Sequence, residues 1–206
     1  MKSIYKYIAQ QFGKPTGFVG KLSTLFMNCL NRKQYKSVVE NIDIQETDTI
    51  LDVGFGNGYL INKLSKKYPR KIYGIDISAD MLNLVTRKNA KKIQQGTVEL
   101  FLTNVENLPF DDCSIDKIYT VNTVYFWQDI DKGFLEIKRV LKPNGIFLNV
   151  LWIKEWLEKF PITQYGYAKF TVEQIEKITV ESGLIVEQIL EIEDGNSICI
   201  IAKKEE

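Results

Sequence analysis

The sequence predicts an α/β fold, an open and mostly parallel sheet with helices on both faces. Three observations predict it. From Thr49 to Ala202, short β-branched runs alternate with segments of helical apolar spacing. The first run ends in a glycine turn, Leu51 to Leu60 reading LDVGFGNGYL, after which Leu60, Ile61 and Leu64 share one helix face. The second run ends in an acid, Asp76, 24 positions after Asp52.

The elements follow in order. Thr49–Val53 reads as the first strand, and Tyr59–Tyr68 as a helix that Pro69 stops. Lys71–Ile75 is the second strand. Ser78 has the form of an N-cap, with Asp80 in the first turn and Met81, Leu82 and Val85 as an apolar face. Thr97–Thr103 and Lys117–Val121 are the third and fourth strands. Asp129–Leu141 is a helix with Ile130, Phe134, Ile137 and Leu141 on one side. Pro143-Asn-Gly145 reads as a turn before a fifth strand, Ile146–Leu151. Thr171-Val-Glu-Gln174 has capping-box form and opens another helix. Leu184–Leu190 and Ser197–Ala202 read as a closing antiparallel pair joined across Glu193-Asp-Gly195-Asn.

Residues 1–45 stand apart as a helical N-terminal extension to a domain spanning 46–206. They are aromatic and basic, with helical spacing at Ile4 and Ile8 and again at Val19, Leu22, Leu25 and Phe26. Gly13-Lys-Pro15-Thr-Gly17 breaks them, and a further helix runs from about Arg32 to Glu40. The extension reads either as a packing element or as a lid over a ligand.

Composition narrows the chemistry. A net charge of +1 over 206 residues gives no reason to expect nucleic acid or an anionic membrane as the main partner. No apolar run reaches the ~18 residues of a membrane span, and no signal-peptide pattern is expected. Cys29, Cys113 and Cys199 lack disulfide or zinc spacing, which fits a cytoplasmic protein without a metal centre. Histidine is absent, so any proton transfer falls to a carboxylate, Tyr, Lys, Cys or water.

In such a sheet ligands bind beyond the carboxyl ends of the strands. The first strand contributes Asp52, Gly54, Phe55, Gly56, Asn57 and Gly58, the second Asp76 and Ile77, the third Asn104, Val105 and Glu106, and the fourth Asn122, Thr123, Val124 and Tyr125. An acid at the end of the second strand reads as an acceptor for ribose hydroxyls, the alternative being a helix-capping or turn aspartate. The dinucleotide pattern G-x-G-x-x-G requires glycine where this chain has Tyr59. An acid before the first glycine suits a cationic cofactor better than a pyrophosphate.

These residues resemble the class I S-adenosylmethionine-dependent methyltransferases, in the small-molecule branch that includes the ubiquinone/menaquinone methyltransferases. The resemblance rests on LDVGFGNG (Leu51–Gly58), GIDIS (Gly74–Ser78), NVENLPFDDCSIDKIYTVNTVYFW (Asn104–Trp127) and EIKRVLKPNGIFLNV (Glu136–Val150), in the expected order. It implies a Rossmann-like seven-stranded sheet with an antiparallel closing strand. It implies S-adenosyl-L-methionine as cofactor and S-adenosyl-L-homocysteine as product. Asp52, Gly54 and Gly56 would shape the pocket, with Phe55, Asn57 and Gly58 in the same loop. Asp76 would hold the ribose, with Ile77 and Met81 beside the adenine. Asn104 and Val105 would flank the adenine edge, and Asn122 and Thr123 would lie near the methionine moiety. Asn104 departs from the family, which commonly has an acid there.

The resemblance implies direct in-line methyl transfer to a small-molecule acceptor. Its weak catalytic candidates are Tyr125 and Glu106. The aromatics of Trp152–Phe170 are either core or the wall of an apolar or aromatic acceptor pocket, which Tyr125-Phe-Trp127 would also face. The alternative is a catalytically silent S-adenosylmethionine-binding protein that acts as a binding or assembly partner.

Overall fold

The computed structural model describes residues 2–17, 20, 27–67 and 71–206. A seven-stranded sheet runs through it in the order β3-β2-β1-β4-β5-β7-β6. The strands are β1 (Ile50–Val53), β2 (Ile72–Asp76), β3 (Val98–Leu102), β4 (Ile115–Val121), β5 (Leu141–Trp152), β6 (Ile185–Ile192) and β7 (Ser197–Lys203). The first five pair in parallel, and β7 runs antiparallel to both neighbours, β5 and β6. The order reverses between β1 and β4, which opens a crevice beyond their carboxyl ends.

Helices cover both faces because strand residues alternate between two cores. Leu51, Ile118, Phe147 and Ile200 face one core, closed by Phe134 and Ile137 of α6 (Ile130–Val140) and Ile175 of α8 (Val172–Glu181). Ile50, Tyr119, Leu148 and Ile201 face the other. That side is closed by Val38 of α2 (Arg32–Asn41), Ile61 and Leu64 of α3 (Tyr59–Lys67), and Met81 and Val85 of α4 (Ala79–Lys88).

Local signals act as read. Ser78 Oγ accepts the Met81 N–H at 3.3 Å, and Thr171 and Gln174 complete a reciprocal capping box. The segment Pro143-Asn-Gly145 differs from expectation. It lies inside the twelve-residue β5 as an irregularity, with Asn144 at φ 60°, and the β4 partner register jumps there from Leu141 to Ile146. The chain bulges without leaving the sheet, because its flanks remain paired.

At the N-terminus α1 (Lys2–Gly13) ends where Gly13–Gly17 breaks the helix. The expected spacing at Val19, Leu22, Leu25 and Phe26 lies outside the described residues. A short α5 (Ala90–Gln94) follows α4 before β3, and between β5 and β6 the chain forms α7 (Lys154–Leu157), a 3-10 turn at Pro161–Gln164 and α8.

Candidate functional site

A cavity of about 430 Å³ lies beyond the carboxyl ends of β1, β2, β3 and β4. Its floor is the turn after β1. Gly54 adopts φ +75°, and a Cβ there would stand 2.3 Å from Thr123 Cγ2, so only glycine lets the β1 and β4 loops meet. Gly58 is required for another reason. Its Cβ would stand 2.7 Å from Val85 Cγ1, so it brings α3 against α4 and does not line the cavity.

Two buried carboxylates face this space. Asp52 lies opposite Tyr119 in the β1–β4 register, and its Oδ2 accepts the Tyr119 hydroxyl at 2.8 Å. Burial pushes its pKa from 3.8 up to about 8, the tyrosine bond opposes this, and the charge of Asp76 adds to it. Asp76 is fixed at both oxygens: Oδ2 accepts the Gly56 N–H at 2.8 Å and Oδ1 the Ser78 N–H at 2.8 Å. Burial raises it to about 6 against the pull of those backbone donors. Lys14 is the one basic residue among the described residues lining the cavity. The result is a cavity with an excess of buried carboxylate, which a cation would relieve.

Ile77, Asn104 and Val105 form one wall, and Phe55 and Asn57 continue the floor. Ile77 is half-exposed and Asn104 exposed, while Val105 is buried. Met81 does not reach this wall. It is fully buried in the second core, because the Ser78 cap turns that face of α4 inward.

Asn122 closes β4 in the left-handed region, at φ 58°. Its Nδ2 donates to Gln34 Oε1 at 2.7 Å, and its Oδ1 accepts the Tyr125 hydroxyl at 3.0 Å and the Trp152 N–H at 3.2 Å. The side chain thus ties β4 to α2 and β5. Thr123 Oγ1 accepts the Trp127 indole N–H at 3.1 Å and shares a short hydrogen bond with Thr120 Oγ1.

The two catalytic candidates are placed differently from expectation. Tyr125 is buried outside the cavity lining, with its hydroxyl bonded to Asn122 and to the Trp152 backbone. Burial holds its pKa well above the usual phenol value. Glu106 lines the cavity, but its Oε1 accepts the N–H groups of Gln128 at 2.6 Å and Asp129 at 3.0 Å. The carboxylate braces the entry to α6. Its Oε2 accepts the Asn104 amide at 3.4 Å.

The aromatics between Trp152 and Phe170 likewise do not line the cavity. Trp152 stacks on Trp156 with ring centroids 5.6 Å apart, and Tyr167 packs on Tyr125 and Phe126. The wall is instead formed by the N-terminal segment: Phe12, Gly13, Lys14 and Pro15, then Met27, Asn28, Asn31 and Tyr35, facing Phe126 and Trp127. Ser78 Oγ donates to Pro15 O at 2.5 Å and the Gly17 N–H to Asp80 Oδ2 at 2.7 Å, fastening this segment to the start of α4. Tyr35 stacks on Tyr59 at 4.9 Å. A signal for these residues exists in the sequence: Asn28, Asn31 and Tyr35 fall at i, i+3 and i+7, a polar stripe on one helical face.

This geometry has known counterparts. Residues 51–149 match the model of the family described as a methyltransferase domain. The Bacillus subtilis protein YrhH is 36% identical over 111 residues, 53% of this chain and 61% of YrhH. The ubiquinone/menaquinone biosynthesis C-methyltransferase UbiE of Geotalea daltonii is 30% identical over 118 residues, 56% of this chain and 50% of that protein. The solved structure of a SAM-dependent methyltransferase from Aquifex aeolicus superposes with a TM-score of 0.72 at 25% identity, covering 85% of this chain and 92% of that one. Residues 51–149 are thus similar to a methyltransferase domain, and the fold is the Rossmann-like one of the Aquifex aeolicus S-adenosylmethionine-dependent methyltransferase. The chain spans 61% and 50% of the length of the two curated relatives.

Proposed function

We propose that the protein is an enzyme that methylates a small-molecule acceptor with an apolar or aromatic face, by direct in-line transfer from S-adenosylmethionine. One observation carries the reading: the glycine turn and two buried carboxylates, Asp52 and Asp76, face one cavity with Lys14 as the single basic residue of its described lining. That field suits a ligand bearing a sulfonium and an ammonium, and disfavours a pyrophosphate.

When bound, S-adenosylmethionine supplies an electrophilic methyl group and leaves as S-adenosylhomocysteine. This chain's residues bind and orient. Asp76 is proposed to accept the ribose hydroxyls, and Asp52 to compensate the cationic amino-acid end. The backbone from Gly54 to Asn57 is proposed to pack against the methionine moiety, with Gly58 supporting the turn from behind. Ile77, Val105 and Asn104 hold the adenine edge, and Asn122 and Thr123 close the floor beneath the methionine part. Met81 acts only indirectly, through the Ser78 cap.

The acceptor side is proposed to be the wall of Phe12, Met27, Tyr35, Phe126 and Trp127, which excludes water and favours a flat or apolar face. Tyr125 and Glu106 have their oxygens engaged, which supports an acceptor that arrives already nucleophilic. The N-terminal extension, residues 1–45, is proposed to serve as the lid of domain 46–206. Scattered cysteines without disulfides support a cytoplasmic setting. The silent-binder alternative is not favoured, because the cradle residues keep their mutual bonds.

An acceptor screen with S-adenosylhomocysteine detection tests this reading. Turnover with at least one flat or apolar nucleophile supports it. Cofactor binding without turnover on any acceptor class would leave the silent binder in its place.

A further inference from the structure

The net charge of +1 conceals a segregation. The first 39 residues hold seven basic side chains (Lys2, Lys6, Lys14, Lys21, Arg32, Lys33 and Lys36) and no acid. The rest of the chain holds the remaining 20 basic residues against all 26 acidic ones. Lys33 and Lys36 of α2 pair with Glu193 and Glu40, so the asymmetry points to an anionic partner chiefly for the part of the segment before α2.

The outer surface of α1 adds a second, apolar signal. Ile4 is 62% exposed, Tyr7 50% and Tyr5 37%, with Lys6 exposed between the tyrosines. Against α1 packs the 3-10 turn Pro161–Gln164, and Phe160 just before it is 41% exposed. Phe160 meets Trp156 edge-on at 5.2 Å, and Lys159 Nζ stands 4.7 Å from the Trp156 ring. Exposed aliphatic and aromatic side chains beside lysine heads form the chemistry of a bilayer interface. Apolar rings enter the headgroup boundary there and ammonium groups meet lipid phosphates. A nucleic acid would use the lysines but leave Ile4 unexplained.

We propose that α1, with Phe160 and Trp156 beside it, is a peripheral docking surface for an anionic phospholipid bilayer. No helix among the described residues is long and apolar enough to cross a membrane, so contact is at the surface. The same segment supplies Phe12 to Pro15 of the cavity wall, so docking would bring the cavity's edge toward the lipid. The surface stands independently of methyl transfer.

The test is sedimentation of the full chain with phosphatidylcholine vesicles, with and without phosphatidylglycerol. Binding is expected only with the anionic vesicles and to weaken as salt rises. Lys6→Gln should weaken it about fivefold, the worth of one basic residue near a charged surface. The double substitution Ile4→Ser/Tyr7→Ser should weaken it about tenfold or more, from lost apolar insertion. Cofactor affinity of the variants, measured without vesicles, should match the parent, which separates docking from misfolding. Equal binding to neutral and anionic vesicles would overturn the proposal. So would anionic binding indifferent to Ile4→Ser/Tyr7→Ser and matched by a single-stranded oligonucleotide.

Discussion

Tyr119 stands directly opposite Asp52 across the β1–β4 ladder and donates its hydroxyl to the carboxylate at 2.8 Å, with both side chains buried. The bond favours the ionised form that a cationic ligand needs. Tyr119→Phe should therefore weaken S-adenosylmethionine binding about tenfold, the lower end of what a hydrogen bond to a charged group contributes. The fold should persist, since the ring stays in its core. Calorimetric titration of the variant checks this, and an unchanged affinity would free Asp52 from the binding role.

Proton linkage offers a second check. Asp52 and Asp76 have folded pKa values raised from 3.8 to about 8 and about 6. Raised carboxylates mean that the unliganded fold holds protons the unfolded chain has released. Their contribution to stability therefore falls as pH rises from about 4 to about 8. A cationic ligand pulls both values down, so its binding should release protons and tighten as pH rises through the same window. Titration at pH 6 and pH 8, repeated in buffers of different ionisation enthalpy, measures both effects. Affinity that falls with pH would contradict the assignment.

The floor of the cavity predicts a steric effect. Gly54→Ala would force a Cβ into Thr123 Cγ2 at a backbone φ of +75°. Overpacking and backbone strain together should destabilise the fold by about 3 kcal/mol. Gly56→Ala, where the new Cβ meets nothing within 4 Å, should cost only the backbone strain, about 1 kcal/mol. Chemical denaturation of both variants gives the comparison, and equal losses would mean that Thr123 yields.

Tyr125→Phe separates structure from catalysis. Losing the hydroxyl removes its bonds to Asn122 Oδ1 and the Trp152 backbone, while the Trp152 N–H keeps Asn122 Oδ1 at 3.2 Å, so stability should drop by about 1 kcal/mol. Turnover on an identified acceptor, measured well below the melting temperature, should stay within a few-fold of the parent. A loss of a hundredfold or more would restore Tyr125 as a general base.

Much of this architecture was legible because its constraints are local. The glycine turn, the Ser78 cap and the Thr171–Gln174 capping box each declare themselves within a few residues. The carboxylates at strand ends follow from strand periodicity. Other parts depend on partners far apart in the chain. Gln34 and Asn122 are 88 residues apart, and nothing near either one announces the pair. Tyr125 read as a candidate base because its type and place past β4 suited the role; the partners that engage its hydroxyl, Asn122 and the Trp152 backbone, show only in the fold. Met81 follows the cavity residues Asp76 and Ile77 closely in the chain, but its burial in the second core depends on how α4 packs. The Trp152–Phe170 aromatics left two readings open, core or pocket wall, for the opposite reason. Density of rings does not reveal direction, and these stack on one another and on Tyr125.

The central claim is that Asp76 and the glycine turn form a cradle for S-adenosylmethionine. Isothermal titration of the full chain with S-adenosylhomocysteine, with NAD in parallel and Asp76→Ala as the variant, tests it most directly. Binding of S-adenosylhomocysteine but not NAD is predicted, with Asp76→Ala weakening it by about 1.5–3 kcal/mol. Binding of NAD instead, or an affinity for S-adenosylhomocysteine that Asp76→Ala leaves unchanged, would contradict the account.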